Sequence, residues 1–193
     1  MSEKKPKLII GLGNVGSEYA GTRHNFGFTS VEHLATLWHA PWHEKNKFQA
    51  LIAEVTVRGQ KVILAKPTTY YNLSGEASAA IMHFYKIALE DVLVIHDELD
   101  LPFGTVRTRV GGSDAGNNGI KSVSAHLGTD YARIRLGIGN EQTMQRDAAS
   151  FVLDYFLPGE QQLLPKIMEH VTSFAEDFIA DDADFLHTSV QVV

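Results

Sequence analysis

The chain contains no cysteine. Disulfide bonds and thiol catalysis are therefore excluded, and the cell interior is the expected compartment. Long apolar runs are missing too. No stretch approaches the ~20 residues a membrane span needs. Met1 to Pro6 is polar, so neither an anchor nor a secretory leader is expected. Internal repeats and low-complexity segments are absent. Basic residues are scarce at one end: residues 136–193 hold 2 Lys and Arg against 10 Asp and Glu, whereas residues 1–135 hold 15 against 13.

What is present fits one folded unit. The 193 residues are 44% hydrophobic, enough for a sizeable core in a single domain spanning 1–193. The net charge of −6 argues at first against a polyanionic partner, but it belongs to the C-terminal third. A local basic face on the remainder is allowed, and phosphates respond to the local field.

Patterning alternates strands with helices. Lys7 to Ile10 reads as a buried parallel strand ended by glycine, and Phe28 to Trp38 has helical spacing. Phe48 to Val57 alternates with a slip near Ala53. Arg58-Gly59-Gln60 turns it into a second strand, Lys61 to Ala65, as a hairpin. Asn72 or Ser74 is expected to cap a helix reaching Tyr85. Val92 to Ile95 is an apolar strand ending at His96-Asp97. Thr105 to Val110 is a half-exposed strand carrying Arg107 and Arg109, and Ala132 to Ile138 is a strand alternating apolar residues against Arg133 and Arg135. Arg107 and Arg133 also read simply as solvated strand faces. A glycine-rich loop over 111–119 leads into a helix, Ile120 to Leu127, ended by Gly128. Asp147 to Phe156 reads as a helix broken by Pro158-Gly159. A last amphipathic helix follows, with Pro165 demanding a late start or a kink. The expected fold is α/β: a single three-layer domain, a twisted mixed β-sheet flanked by helices.

Gly11-Leu12-Gly13-Asn14-Val15-Gly16 follows a strand and matches the dinucleotide fingerprint G-x-G-x-x-G. That fingerprint requires a helix beginning inside the glycines and an acid about 20 residues on. Ser17 to Asn25 is polar instead, and Glu32 lies inside the next helix. The competing reading is a sharp turn that presents Asn14 to a ligand. His24 follows this turn, and Asp97 ends a separate strand. Sites in α/β sheets form at such strand ends, and a carboxylate on one imidazole nitrogen makes the other a better base. His96 and Asp97 face opposite sides of a strand, which disfavours a metal cluster there. Asn14, Asn72 and Asn118 offer neutral groups for a peptide backbone or an oxyanion, although asparagine also favours turns for conformational reasons. There is no G-x-S-x-G elbow and no P-loop, so water activated by His24 is the expected nucleophile of a hydrolytic reaction.

The ordered set of motifs resembles one family. It runs from Gly11-Leu12-Gly13-Asn14 through Tyr19 to Thr22-Arg23-His24-Asn25, then Pro67-Thr68-Thr69-Tyr70-Tyr71-Asn72-Leu73-Ser74-Gly75 and His96-Asp97-Glu98-Leu99-Asp100-Leu101-Pro102. Gly116-Asn117-Asn118-Gly119 and Arg133-Ile134-Arg135-Leu136-Gly137 complete it. Over about Lys7 to Phe156 this is similar to bacterial peptidyl-tRNA hydrolases. The resemblance implies a monomeric, cytoplasmic enzyme without metal or cofactor that cleaves the ester joining a peptide to the 3′-terminal ribose of tRNA. It implies His24 as base and Asp97 as its orienting partner. Asn14, Tyr19, Tyr71, Asn72 and Asn118 then meet the substrate or the water, and Arg109, Lys121 and Arg135 meet the tRNA acceptor end. Three positions depart from the family pattern: Val15 for proline, Tyr71 for methionine, and Asn117 for histidine. The second implies a more polar floor to the peptide site. The third implies a histidine that is dispensable or replaced in its hydrogen bond. Two other classes compete, a nucleotide-dependent enzyme using the glycine motif and a non-catalytic RNA-binding module. The module has no need of the His24–Asp97 pair.

Overall fold

A computed structural model describes residues 5–143 and 145–192. The strands are β1 Lys7–Gly11, β2 His43–Lys45, β3 Ala50–Val57, β4 Gln60–Pro67, β5 Val92–Pro102, β6 Thr105–Val110, β7 Ala132–Gly139 and β8 Ser189–Gln191. The helices are α1 Phe26–Leu37, α2 Ser74–Tyr85, α3 Asn118–Leu127, α4 Ala148–Val152, α5 Pro158–Gln161 and α6 Leu164–Ile179. The strands form one eight-stranded sheet in the order β2-β3-β4-β1-β5-β7-β6-β8. The contacts β4-β1, β1-β5 and β5-β7 are parallel, and the outer ones are antiparallel.

Because side chains alternate along β1, its residues feed two cores. Ile9 packs with Phe26, Leu34, Val171 and Phe174 on the α1 and α6 side. Leu8 and Ile10 pack with Ile81, Ile120 and Val123 on the α2 and α3 side. A sheet covered on both faces explains why its central strands are apolar throughout, and it confirms the three layers read from the pattern. Among the described residues, no helix is long and apolar enough to cross a membrane.

Several expectations are corrected. The β3–β4 register is continuous from Ala50↔Pro67 to Val57↔Gln60, so there is no slip. Ile52 and Ala53 are both buried because each faces one of the two cores. Neither Asn72 nor Ser74 caps α2. A 3₁₀ turn, Tyr71–Leu73, leads straight into it, and Ser74 Oγ bonds back to the Tyr71 carbonyl at 2.8 Å. The strand containing Asp97 does not stop there, since β5 continues beside β7 to Pro102. The helix expected over 147–156 is only α4, five residues long. Beyond it the backbone turns to tertiary pairing: Arg23 N–H donates to the Asp154 carbonyl at 2.9 Å, and Thr22 bridges to Tyr155. Pro158 starts α5 rather than breaking a helix, as its missing N–H permits at a first position. Pro165 likewise sits in the first turn of α6 and gives the late start.

Candidate active site

β1 stops at the sheet's carboxyl edge, and the glycine turn that follows serves close packing. A Cβ on Gly11 would collide with the Gly27 carbonyl, and one on Gly27 with the Ile95 carbonyl and Leu12 N. Leu12 N–H donates to the Ile95 carbonyl and Phe28 N–H to the Leu12 carbonyl, both at 3.0 Å. The start of α1 is thus pressed onto the strand tips, where a dinucleotide fold would leave a phosphate crevice. Asn25 locks the turn. Its Oδ1 accepts from Asn14 N–H at 2.8 Å and its Nδ2 donates to the Asn14 carbonyl at 2.9 Å.

The 3₁₀ turn Arg23–Asn25 carries His24. Its neighbour Arg23 is buried, pairs with Glu160 at 2.6 Å, donates to the Tyr155 carbonyl, and lies 4.5 Å from the Phe151 ring centre. Burial depresses the Arg23 pKa, and the Glu160 charge opposes that. His24 therefore stands on a turn riveted to the α4–α5 segment.

His24 Nδ1 lies 2.8 Å from Asp97 Oδ2, with the carboxylate 3% exposed and the imidazole 16%. Nδ1 is engaged, so Nε2 is the nitrogen available to the cleft. Tyr71 is buried behind the imidazole, its ring stacked at a centroid distance of 3.7 Å and 23°. Its hydroxyl donates to Asp97 Oδ1 at 2.9 Å. Asn117 Nδ2 donates to the Tyr71 hydroxyl at 3.0 Å and to the Asp97 carbonyl at 3.2 Å. Burial, then the Asp97 charge, raises the Tyr71 phenol well above its ordinary range, so it stays a neutral donor.

His24, Asp97, Glu98, Asn117 and Asn118 line a cleft of about 550 Å³, closed on the far side by α4. Glu98 pairs with Arg135 at 3.1 Å. Burial raises its carboxyl against the pull of that guanidinium. Asn14 and Tyr19 line a neighbouring cleft of about 560 Å³ with Gln49, Thr69 and Tyr70. Asn72 is exposed on its turn and lines neither cleft. Among the described residues, no group of three or more His, Cys, Asp or Glu side chains is placed to hold a metal ion.

The cations occupy the β6–β7 face. Register pairs Arg107 with Arg135 and Arg109 with Arg133. Arg107, Arg109 and Arg135 line a groove of about 320 Å³ with His187 and Ser189. Lys121 is exposed on α3. Arg133, read as solvated, is buried: it donates to the Gly112 and Ser113 carbonyls, each at 2.8 Å, and holds the glycine-rich loop down. The sequence reading gave Asn25 only a place in the motif beside His24, gave Asn117 only as a replacement for the family's histidine, and missed Arg133 as an organiser of the site. For Asn25 and Asn117 the signal was an asparagine directly beside each candidate residue.

Fold and cleft define an α/β-sheet enzyme whose cleft, with a histidine–carboxylate pair, lies at the carboxyl edge. The peptidyl-tRNA hydrolase family model matches residues 8–192. The chain is 44% identical over 165 residues to a peptidyl-tRNA hydrolase of Rickettsia bellii, covering 86% of this chain and 89% of that one. It is 46% identical over 173 residues to one of Pelodictyon phaeoclathratiforme, covering 89% and 90%. The crystal structure of the Acinetobacter baumannii peptidyl-tRNA hydrolase superposes with a TM-score of 0.86 at 36% identity, covering 94% of this chain and 92% of that one. The chain belongs to the peptidyl-tRNA hydrolase family.

Proposed function

We propose that this chain hydrolyses the ester between a peptide, or an N-blocked amino acid, and the 3′-terminal ribose of tRNA, with His24 as general base. The carrying observation is the His24 Nδ1–Asp97 contact at 2.8 Å. A carboxylate on Nδ1 fixes the Nδ1–H tautomer and directs the Nε2 lone pair into the cleft. A water held there gives its proton to Nε2 as its oxygen attacks the ester carbonyl. The tetrahedral oxyanion is met by neutral amides, with Asn118 on the same cleft wall. Collapse breaks the bond to the ribose oxygen, which takes the proton back from Nε2. An ester leaving group asks less of the acid than an amide does, so one histidine suffices.

Asn14 and Tyr19, in the adjoining cleft, are assigned to the peptide or the acceptor end, and Asn72 to the rim. Arg109, Lys121 and Arg135 are assigned to the tRNA backbone. A cytoplasmic monomer acting without metal fits this chemistry.

The test is release of labelled N-acetyl-aminoacyl groups from tRNA with EDTA present. Wild type should turn over, and His24→Ala should lose roughly 100- to 10,000-fold in kcat, the usual worth of a general base. Asp97→Asn should lose less. Equal turnover by wild type and His24→Ala would sink the mechanism. Loss of wild-type turnover in EDTA would sink the metal-free form of it.

A further inference from the structure

We propose that Tyr71 and Asn117 are positioning residues for this reaction, forming a directed chain of donors that aims Asp97 at His24. The inference rests on the reading of His24 as the base.

The direction of the chain follows from a helix cap. Asn117 is the N-cap of α3, and its Oδ1 accepts from Ile120 N–H at 3.0 Å. Only the oxygen of an amide can accept, so Nδ2 points the other way. It reaches the Tyr71 hydroxyl at 3.0 Å and Asp97 Oδ1 at 3.5 Å. The Tyr71 oxygen must accept this bond, which leaves its single proton for Asp97 Oδ1 at 2.9 Å. Asp97 Oδ2 remains for His24 Nδ1 at 2.8 Å. Each carboxylate oxygen thus has its own donor, and the carboxylate plane is fixed. The Tyr71 ring lies 3.7 Å from the imidazole and limits its rotation. In a buried chain each donor polarises the next.

Two substitutions separate the parts. Tyr71→Phe keeps the ring stack and removes the hydroxyl. Asn117→Ser keeps an N-cap acceptor for Ile120 and removes the amide donor. The charged and titratable groups facing His24 are Asp97 and Glu98 from β5, Tyr71 from its turn, and Asp147 at the head of α4. Without the hydroxyl, Asp97 has one donor fewer and attracts the His24 proton more strongly.

The experiment measures kcat, KM and the pH profile of kcat/KM on N-acetyl-aminoacyl-tRNA, beside thermal unfolding. Tyr71→Phe should lower kcat by about tenfold, the scale of support lost behind a site residue. KM should change less than about twofold, and the rising limb of the profile should move to higher pH. Asn117→Ser should act in the same direction but less. The double variant should lose less than the two single losses combined, because Asn117 reaches Asp97 partly through the Tyr71 hydroxyl and partly directly. A loss of thermal stability with kcat and pH profile as in wild type would make the pair structural and overturn the proposal. Additive losses would overturn the chain. Wild type that fails to release the label would instead overturn the hydrolase reading itself.

Discussion

At the scale of single residues, the neighbours His96 and Asp97 show how a strand sorts two titratable groups. Asp97 faces the cleft, while His96 points into the opposite face and is 1% exposed. His96 Nδ1 lies 2.8 Å from the Asp97 carbonyl, and Nε2 is buried without a partner. Nδ1 therefore carries the proton, and a second N–H would have no acceptor. Burial accordingly lowers the His96 pKa from 6.5 to about 4. The unfolded chain binds this proton near 6.5 and the folded chain only near 4, so the unfolded state holds more protons in that window. Stability should fall as pH drops from about 6.5 to about 4, by up to roughly 3 kcal/mol from this group. His96→Asn, which keeps a donor near the Asp97 carbonyl, should flatten that slope in urea unfolding. A slope unchanged from wild type would mean His96 is already protonated in the fold. Strand alternation made this division legible in the sequence. The roles of Tyr71 and Asn117 were not, because their contacts join residues 46 positions apart.

At the scale of elements, the turn carrying His24 depends on α5. Glu160 Oε2 accepts from Arg23 at 2.6 Å and from Leu157 N–H at 2.7 Å, while Oε1 accepts from Asn140 at 2.9 Å. The Arg23 side chain is 1% exposed. Removing one partner of a buried pair leaves an uncompensated charge, which costs about 3–5 kcal/mol. Glu160→Ala should lower unfolding free energy by about 3 kcal/mol, and the rate should fall with it because Arg23 adjoins His24. A loss under about 1 kcal/mol would show that the Tyr155 carbonyl and the Phe151 ring suffice to hold the guanidinium. Most elements were legible, since α1, β6, β7 and α6 follow their hydrophobic period and β1 is an apolar run ended by glycine. The short ones were not. α4 and α5 are set by Asp147, Pro158 and Glu160 at their ends, and β2 and β8 have three residues each, too few to show a period. β8 exists because β6 offers it an edge, with Thr108 N–H donating to the Thr188 carbonyl at 2.8 Å.

At the scale of the whole molecule, a net charge of −6 coexists with separate acidic and cationic patches. Glu90, Asp130, Asp181 and Asp182 gather at the amino edge of the parallel strands. There Asp91 and Asp181 both bind the Lys7 ammonium. Nearby, burial and then Asp182 and Asp184 raise the Asp177 carboxyl. The histidine cleft opens at the carboxyl edge, and the cationic groove of Arg107, Arg109 and Arg135 lies on the β6–β7 face. A polyanion is thus repelled by the acidic edge and drawn to the cationic groove. Arg109 sits beneath the glycine-rich loop, where a Cβ on Gly112 would strike its guanidinium. Among the described residues, it forms no ion pair. If it neutralises one tRNA phosphate, Arg109→Ala should raise KM several-fold and leave kcat near wild type. The slope of log kcat/KM against log salt should then become shallower by about 1. Measuring turnover of N-acetyl-aminoacyl-tRNA from low to moderate salt reads both quantities at once. An unchanged KM and slope would place the tRNA on another face. A lower kcat with unchanged slope would mean that Arg109 acts by holding the 111–117 loop, and through it Asn117, rather than by meeting phosphate.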